Sequence, residues 1–558
     1  MKKYLSLLLA LVLVASLALP AVAEGAYVMQ DPNVTAPGEL PVVKEKIELS
    51  IGITQDTNTT SYEYGENYQT TLLEDISGIH LVWDLYPSVG DDANAKLRLQ
   101  INGNDKLPDV LIGFDLDNDA VREAYGQAGA LIPLNDYIDN LSHFHKEALA
   151  KTPEAQAGID MWKLGRSLDG NYYGMLRLYR SLPNYYSARA WYNRDFVAAL
   201  GMEEPEGTPT QEWMLEYLRG VRDNDVNGNG DPNDEVPLIG GTGWQQNIIF
   251  WLLKQYTYID YNNTNFFQLQ NGIISNSYTK DELREGLKFI RSLYDEKLFP
   301  DYALTQDNAA YNAMMASETP FVGLGVSGSC SGFGVNMPSL NPIPVVEGPE
   351  GYKSATYFPQ NPVFHNVITK DCAYPEAAFR MFDSENSDPN FVVIERFGEP
   401  GLDWEMAAEG TRGMYDDIGM SGYFTILQSV WGVPQKSHWA GQFFGAIDFD
   451  NYCSRFTWDG NEANNEYKNA LAVMKQVDYV PEEYISKIIY SVEEQELWAN
   501  TRAAIGTYVR EQMALFATGQ LDIESDSAWE DFQATIKGMG SEELLAMDQA
   551  AYERTIAD

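Results

Sequence analysis

The sequence predicts a two-lobed α/β protein with a helix-rich C-terminal part, and three observations carry that prediction. A chain of 558 residues is longer than one hydrophobic core usually supports, so at least two cores are expected. Residues 47–113 alternate strand, helix, strand, helix, strand at the spacing of a parallel sheet crossed by helices. The last 130 residues read mostly as helix.

Each element follows from local pattern. Residues 47–53 (IELSIGI) alternate as a strand does, 68–76 suit a helix, and 79–83 a second strand. Ala93, Leu97, Leu99 and Ile101 mark a helix over 93–101, and residues 107–113 (LPDVLIG) form a short apolar strand closed by glycine. Ligands in such sheets bind beyond the carboxyl ends of the strands, here near Thr54, Gln55 and Asp56 and near Phe114 and Asp115. Residues 168–175 (LDGNYYGM) predict a hairpin, and 188–193 a strand leading into a helix. Further helices are expected at 209–222, 281–295, 374–384, 389–396, 464–475, 481–492 and 494–517. Residues 24–46 contain Pro32, Pro37 and Pro41 and read as an extended leader.

Residues 1–23 (MKKYLSLLLALVLVASLALPAVA) have the pattern of an export signal. Lys2 and Lys3 precede an apolar run from Tyr4 to Leu19, Pro20 breaks it, and Ala21-Val22-Ala23 supplies the small residues of a cleavage site. The run is short for a membrane anchor, and no later uncharged apolar segment reaches ~18 residues. No cysteine follows to carry a lipid, so export as a soluble protein cut after Ala23 is expected. Lys plus Arg number 38 against 81 Asp plus Glu, a formal charge of −43. Cleavage removes two lysines and no acid, which deepens the charge to −45. So acidic a surface repels phosphate backbones and anionic headgroups, which argues against nucleic acid and membrane surfaces as partners. Three cysteines allow one disulfide at most among Cys330, Cys372 and Cys453.

The sharpest local signal is residues 223–237 (DNDVNGNGDPNDEVP). A helix should lead into it, with Thr208 as N-cap, Pro209 at the first position, Gln211 completing a capping box, and Met214, Tyr217, Leu218 and Val221 on one apolar face. Asp225, Asn227, Asn229 and Asp231 then offer oxygen at alternate positions, Gly228 and Gly230 permit a tight curl, and Asp234 and Glu235 add carboxylates. Calcium wants six to eight such oxygens, so a structural Ca²⁺ is expected here. Up to Asp231 the run follows an EF-hand loop; its twelfth place is Val236 instead of Glu, and no exit helix is evident.

Four stretches carry a family resemblance. They are Leu107-Pro108-Asp109-Val110 with Gly129-Ala130-Leu131-Ile132-Pro133-Leu134-Asn135; Asp169-Gly170-Asn171-Tyr172-Tyr173-Gly174; Trp191-Tyr192-Asn193-Arg194-Asp195-Phe196 through Leu200-Gly201 and Thr208-Pro209-Thr210; and Asp371-Cys372-Ala373-Tyr374-Pro375-Glu376-Ala377-Ala378 with Phe397-Gly398-Glu399-Pro400-Gly401-Leu402-Asp403-Trp404. In this order, over about residues 47–405, they resemble exported solute-binding proteins of carbohydrate-type ABC importers, in the branch related to alginate- and oligosaccharide-binding proteins. The resemblance implies a periplasmic-binding-protein-like fold of two α/β lobes joined by a hinge, closing on a glycan without chemistry. It also places Asp225, Asn227, Asn229, Asp231, Asp234 and Glu235 on the family's calcium ligands, with one extra residue before Asp234. The expected division is 47–180 with 363–430 in one lobe and 181–362 with 431–558 in the other. The expected partners are an oligosaccharide and the membrane permease of an ABC importer, and the expected state is a monomer.

Sugars are held by aromatic planes flanked by polar side chains. The candidates are aromatics in Gly-rich or polar loops: Trp244 in GGTGWQQ, Trp431 and Trp439 bracketing WGVPQKSHW, and Tyr185 and Tyr186 after Pro183-Asn184. Gln55, Asp56 and Asp115 are the polar candidates, while Trp213, Trp251 and Trp498 lie in helical patterns and belong to the core. With few basic residues near these loops, a neutral oligosaccharide is favoured over a uronate; Arg177, Arg180 and Arg189 are the one basic cluster that could face inward. Gly323-Leu-Gly325-Val-Ser-Gly328 matches a dinucleotide fingerprint by letter, but Cys330-Ser-Gly-Phe-Gly and Pro338 follow where a helix should open, so it reads as a flexible interlobe segment. No nucleophile elbow, HExxH or CxxC motif occurs. An enzyme is not expected; a secreted glycosidase or lyase, or a glycan-binding protein that serves no transporter, are the alternatives.

Overall fold

In the computed structural model the described residues are 27–557 without 89, 206, 261–265, 360, 429, 432, 440–444 and 463, so the expected export signal lies outside them. Eight strands build two four-stranded sheets: β1 (Ile47–Thr54), β2 (Ile79–Tyr86), β3 (Val110–Ile112), β4 (Ala190–Asn193), β5 (Val236–Ile239), β6 (Val322–Val326), β7 (Leu340–Ile343) and β8 (Val367–Ile368). The first sheet has the order β8-β3-β1-β2, with β1 parallel to both β2 and β3 and β8 antiparallel at the edge. The second has the order β7-β4-β6-β5, with β5 and β6 parallel and β4 antiparallel to both β6 and β7.

The βαβαβ unit forms where its pattern predicts. The helix Tyr68–Ser77 starts at Asn67, whose side chain accepts from Thr70 N–H, and stops at Gly78 with φ of 75°. The helix Gly90–Gly103 crosses back to β3. Leu49, Ile51 and Ile53 of β1 are buried with Val110 and Ile112 of β3. Against them pack Ala377, Phe379 and Phe382 of the helix Pro375–Ser384 and Phe391, Val393 and Phe397 of the helix Phe391–Phe397.

The second core gathers Tyr192, Leu238, Leu324 and Val326 of the second sheet with Met214, Tyr217, Leu218 and Val221 of the helix Gln211–Asp223. Ile505, Val509 and Phe516 of the helix Val492–Thr518 and Phe532 of the helix Asp526–Gly538 close it. Trp251 is buried there, and Trp213 and Trp498 are half-buried against it. Trp439, Ala446, Cys453, Phe456, Ala470 and Val473 pack in the first core, although they follow residue 430. The chain therefore returns to the first sheet after residue 363 and leaves it for good only beyond residue 480.

Five expectations are corrected. Residues 27–46 are no free leader: Val34, Val42 and Val43 are buried, and both carboxylate oxygens of Glu376 are occupied, by Tyr27 hydroxyl and Gln30 N–H on one and Asp31 N–H on the other. Arg380 adds bonds to the Thr35 and Glu39 carbonyls. Residues 168–175 make a turn at Gly170 (φ of 85°) with no strand ladder. Residues 481–491 form no helix and run as an irregular strap, held by the Asn361 carboxamide on the Ser486 carbonyl and by Lys487 on the Leu164 carbonyl. The helix Gln211–Asp223 is capped by Thr210, whose side chain accepts from Trp213 N–H; Thr208 is displaced from that role because the adjoining chain pairs with Glu347. The Gly323-Leu-Gly325 segment is the buried strand β6, not a flexible linker. A Cβ on Gly323 would come within 2.8 Å of Pro237 carbonyl, so glycine is what lets β5 and the neighbouring helix approach.

All three cysteines are free thiols. No helix of the described residues is long and apolar enough to cross a membrane. Replacing Glu376 by Ala leaves three donors of residues 27–31 without an acceptor and should cost about 1–3 kcal/mol. Limited proteolysis should then cut within residues 27–46 faster than in the wild type, and unchanged cleavage would refute the docking.

Candidate functional site

At the carboxyl end of β1 the chain turns through Gln55, which is exposed, and Asp56, which is half-buried. Asp56 Oδ1 accepts from the amides of Asn58 (2.8 Å) and Thr59 (3.1 Å), and its own amide donates to Tyr62 hydroxyl. That turn receives the 431–439 loop. Gln435 N–H donates to Asn58 carbonyl and Thr60 N–H to Gln435 carbonyl, both 2.8 Å. The buried Gln435 carboxamide donates to Thr59 Oγ1 and His438 carbonyl and accepts from Ser437 N–H and His438 N–H. Two candidates read from opposite ends of the sequence, Asp56 and the WGVPQKSHW loop, thus form one structure.

Within the loop the two tryptophans part company. Trp439 is 2% exposed: it packs edge-on against Trp83 at 5.0 Å and its indole N–H donates to Thr70 Oγ1. It is a core residue and not a stacking surface. Trp431 is 37% exposed, lies 5.1 Å from the His438 ring, and has the Arg396 guanidinium 5.3 Å from its ring centre. Burial pushes His438 down to about 4, so the imidazole under Trp431 is neutral in ordinary conditions.

Arg396 was not singled out from sequence. It also stands 5.3 Å from the Tyr179 ring, so one cation bridges two aromatic faces. The available signal was a charged Glu395-Arg396 pair inside the apolar run FVVIERF. Trp458 was also missed; it stacks on Tyr467 at 5.7 Å and carries Arg412 at 4.5 Å.

On the second sheet the loop after β5 presents Trp244, 52% exposed, at the same carboxyl edge where Ser327 and Gly328 follow β6. Gly328 N–H donates to Trp244 carbonyl, and a Cβ at 328 would meet the indole ring at 2.5 Å, so one face of the ring lies on bare backbone. The helix Asn465–Met474 links the two edges. Its Ala470 and Val473 belong to the first core, while Asn465 Oδ1 is met by Ser329 hydroxyl (3.5 Å) and Cys330 thiol (3.3 Å) of the second. The Glu466 carboxylate acts on Arg189, Arg396 and Tyr415.

The remaining candidates lie elsewhere. Tyr185 and Tyr186 pack on Tyr357 at 5.5 and 5.6 Å, where the chain crosses between the sheets. Asp115 is half-buried after β3, its amide donating to Asn94. Of the basic cluster, Arg180 pairs with Glu154, Arg189 donates to the Pro183, Ser187 and Asn469 carbonyls, and Arg177 is buried with Asp117 and Glu395 acting on it.

The acidic loop curls as its glycines require, with φ of 73° at Gly228 and 94° at Gly230. Asp225 accepts from the amides of Asn229 and Gly230, Asn227 Oδ1 from Asn229 N–H, and Asp234 from the Asn229 carboxamide at 2.6 Å. Asn229 Oδ1 accepts from Asp231 N–H. Glu235 turns inward: Asn227 N–H reaches one oxygen at 3.4 Å, and among the described residues no donor reaches Oε2, which is buried. Burial raises its carboxyl above the usual range. No three His, Cys, Asp or Glu side chains of the described residues converge as a metal cluster, because Asp225 and Asp234 are turned to N–H donors. An inward carboxylate oxygen without a donor nevertheless fits a cation held with Asp225, Asn227 and Asn229.

No protein-family model matches the chain. It is 24% identical to the fructooligosaccharide ABC transporter substrate-binding protein FusA of Streptococcus pneumoniae, over 98% of this chain and 97% of that protein. The structure of FusA in complex with kestose superposes with a TM-score of 0.73 at 21% identity, over 91% of this chain and 99% of FusA. An HMO-binding solute-binding protein of Bifidobacterium longum infantis gives 0.70 at 17% identity, over 91% and 99% of the two chains. The alginate-binding protein AlgQ2, solved without calcium ion, gives 0.61 at 19% identity, over 92% and 99%. The fold is that of the two-lobed solute-binding proteins, as the sequence motifs implied.

The contrast between the two loop tryptophans is measurable. Trp439→Ala empties a packed core position and should cost about 3–5 kcal/mol of stability. Trp431→Ala, at a half-exposed ring with one cation contact, should cost no more than about 1 kcal/mol. Denaturant unfolding of the two variants checks the order.

Proposed function

We propose that this chain is an exported solute-binding protein that captures an oligosaccharide between its lobes and delivers it to the permease of an ABC importer. One observation carries the reading: half-exposed Trp431 and Trp244 stand at the carboxyl ends of the two sheets, and the helix Asn465–Met474 joins those ends. Exposed indole faces beside polar side chains suit sugar rings. The relatives of the same architecture named for fructooligosaccharide, HMO and alginate support a glycan ligand. In this reading Trp431, Trp244 and Asp56 contact the ligand, Gln55 lies at the rim, and Tyr185 and Tyr186 sit at the interlobe crossing. The lobes divide as 27–180 with 363–480, and 181–362 with 481–557.

The ligand is neutral. Arg177 is buried with Asp117 and Glu395 acting on it, Arg180 and Arg189 are committed to Glu154 and to backbone carbonyls, and Arg396 offers its charge to two aromatic rings. A uronate carboxylate would need a basic side chain aimed at it. No chemistry accompanies capture, so the protein binds one glycan and stops; it works as a monomer after cleavage near Ala23.

Asp225, Asn227, Asn229, Asp231, Asp234 and Glu235 would hold a structural Ca²⁺, Asp231 through its carbonyl. An EF-hand mutant of FusA and the calcium-free AlgQ2 among the structural relatives support that assignment. Calcium would tie the end of the helix Gln211–Asp223 to the start of β5.

Calorimetry with kestose and other neutral fructooligosaccharides should give one-to-one binding without turnover. Binding of uronate oligomers alone would overturn the ligand class, and glycan hydrolysis would overturn the binding role. Trp431→Ala should weaken binding by about 1–3 kcal/mol if the ring is a stacking platform. Chelation should lower the melting temperature, and calcium at a hundredfold over its Kd should restore about 2.7 kcal/mol by mass action. A melting curve unchanged by chelator, in protein shown metal-free by elemental analysis, would remove calcium from the account.

A further inference from the structure

Two buried carboxylates meet at one glycine beneath the aromatic loop. Glu385 is 2% exposed and Glu395 1%. Glu395 accepts from Gly445 N–H at 2.9 Å and Ala446 N–H at 3.3 Å. Glu385 Oε2 lies against the same Gly445, where any Cβ would collide with it, and among the described residues no donor reaches that oxygen. Asn386 Oδ1 accepts from Ile447 N–H at 2.8 Å. Residues 445–447 are thus seated on 385, 386 and 395, and Ile447 bridges to Leu178 where the chain leaves the first lobe.

The surrounding charges leave this pair largely uncompensated. From the strand Leu176–Arg177, the Arg177 guanidinium acts on Glu395. From the helix Pro375–Ser384, Asp383 is taken by Arg380 and by the His143 and His145 amides. On the helix Phe144–Ala150, burial pushes His145 down, Lys146 donates to Asp139 carbonyl, and Glu147 pairs with His143. Arg396 faces Tyr179 and Trp431, Cys453 is held as the thiol, and Asp448, pushed up to about 7 by burial, lies near Arg180. Burial and then Glu395 push Glu385 well above the usual carboxylate range, and burial pushes Glu395 up to about 7. Two carboxylates so enclosed cannot both ionise without large cost.

We propose that Glu385 and Glu395 form a proton-operated latch: with a proton held by either one, they clamp residues 445–447, and when both ionise the segment is released. Arg396 follows Glu395 directly on the helix Phe391–Phe397 and stands beside Trp431, so the latch makes capture of ligand weaken as the medium turns alkaline. That consequence rests on the oligosaccharide reading; the latch itself does not. The folded chain binds protons that the unfolded chain has already lost, so stability falls as pH rises from about 4.3 through about 7 as Glu395 ionises, and on through the raised value of Glu385.

Thermal melts of the full sugar-free chain between about pH 5 and about pH 8 test it, with Glu385→Gln and Glu395→Gln beside the wild type. The wild-type melting temperature should fall by several degrees over this range. Each variant removes one of the two ionising groups, so each should show a smaller fall than the wild type and melt above it at the alkaline end. Parallel curves for wild type and variants would overturn the latch. Should the variants fail to fold, hydrogen exchange in the wild type decides: protection of residues 445–453, corrected for intrinsic rates, should drop at alkaline pH, and pH-independent protection would overturn it. Failure of every glycan to bind would sink the functional reading and leave these outcomes unchanged.

Discussion

The candidate site depends on one buried carboxamide. Gln435 uses both oxygen lone pairs, on Ser437 and His438 amides, and both N–H groups, on Thr59 Oγ1 and His438 carbonyl. Desolvated amides are costly unless fully paired, and this one is fully paired only when the 431–439 loop lies on the turn after β1. The pairing has two results. It fixes Trp439 into the core against Trp83, and it leaves Trp431 raised at the surface over Arg396. Without it the aromatic loop would have no defined relation to the strand ends that position a ligand.

The next constraint is the way the chain is shared between cores. It enters the second sheet at residue 190, returns to the first after 363, and finishes on the second beyond 480. Its crossings carry buried polar groups held by carbonyls: Arg189 spans Pro183, Ser187 and Asn469, and Lys254 donates to the Ala188 and Pro344 carbonyls. Burial, then Arg189, brings the Lys254 ammonium down to about 7. Such positions tolerate little lateral shift, because each displaced bond leaves a buried charge unpaired. The crossings are therefore held by polar contacts to carbonyls on both sides of residue 188.

Much of this was legible in the sequence. The βαβαβ opening, the helices 281–295, 374–384 and 464–475, and the apolar face Met214, Tyr217, Leu218 and Val221 all follow from local periodicity, and the structure places each within a few residues. Local pattern failed where long-range contact overrode it. Residues 27–46 look like a prolyl tether until Glu376 and Arg380 of a distant helix supply their hydrogen-bond partners. Gly323 and Gly325 look like a flexible stretch until Val221, Tyr311 and Met315 press on them from both sides. Residues 481–491 have helical composition, yet Lys487 reaches Asp119 and the Leu164 carbonyl in an irregular strap.

The sequence by itself determined the kinds of residue available: an acidic chain with an export pattern, oxygen ligands at alternate loop positions, and tryptophans in polar loops. Composition, periodicity and turn chemistry are properties of neighbours along the chain, so they survive without a fold. Only the tertiary structure decided which tryptophan faces outward and that Arg396 stands beneath it. It also decided that Glu385 and Glu395 meet at Gly445 and that the turn at Asp56 is bonded to the Gln435 loop. Those are relations between residues ten to several hundred positions apart. Exposure, pairing and the ionisation of a buried acid are set by what packs against a group, and no local pattern encodes that.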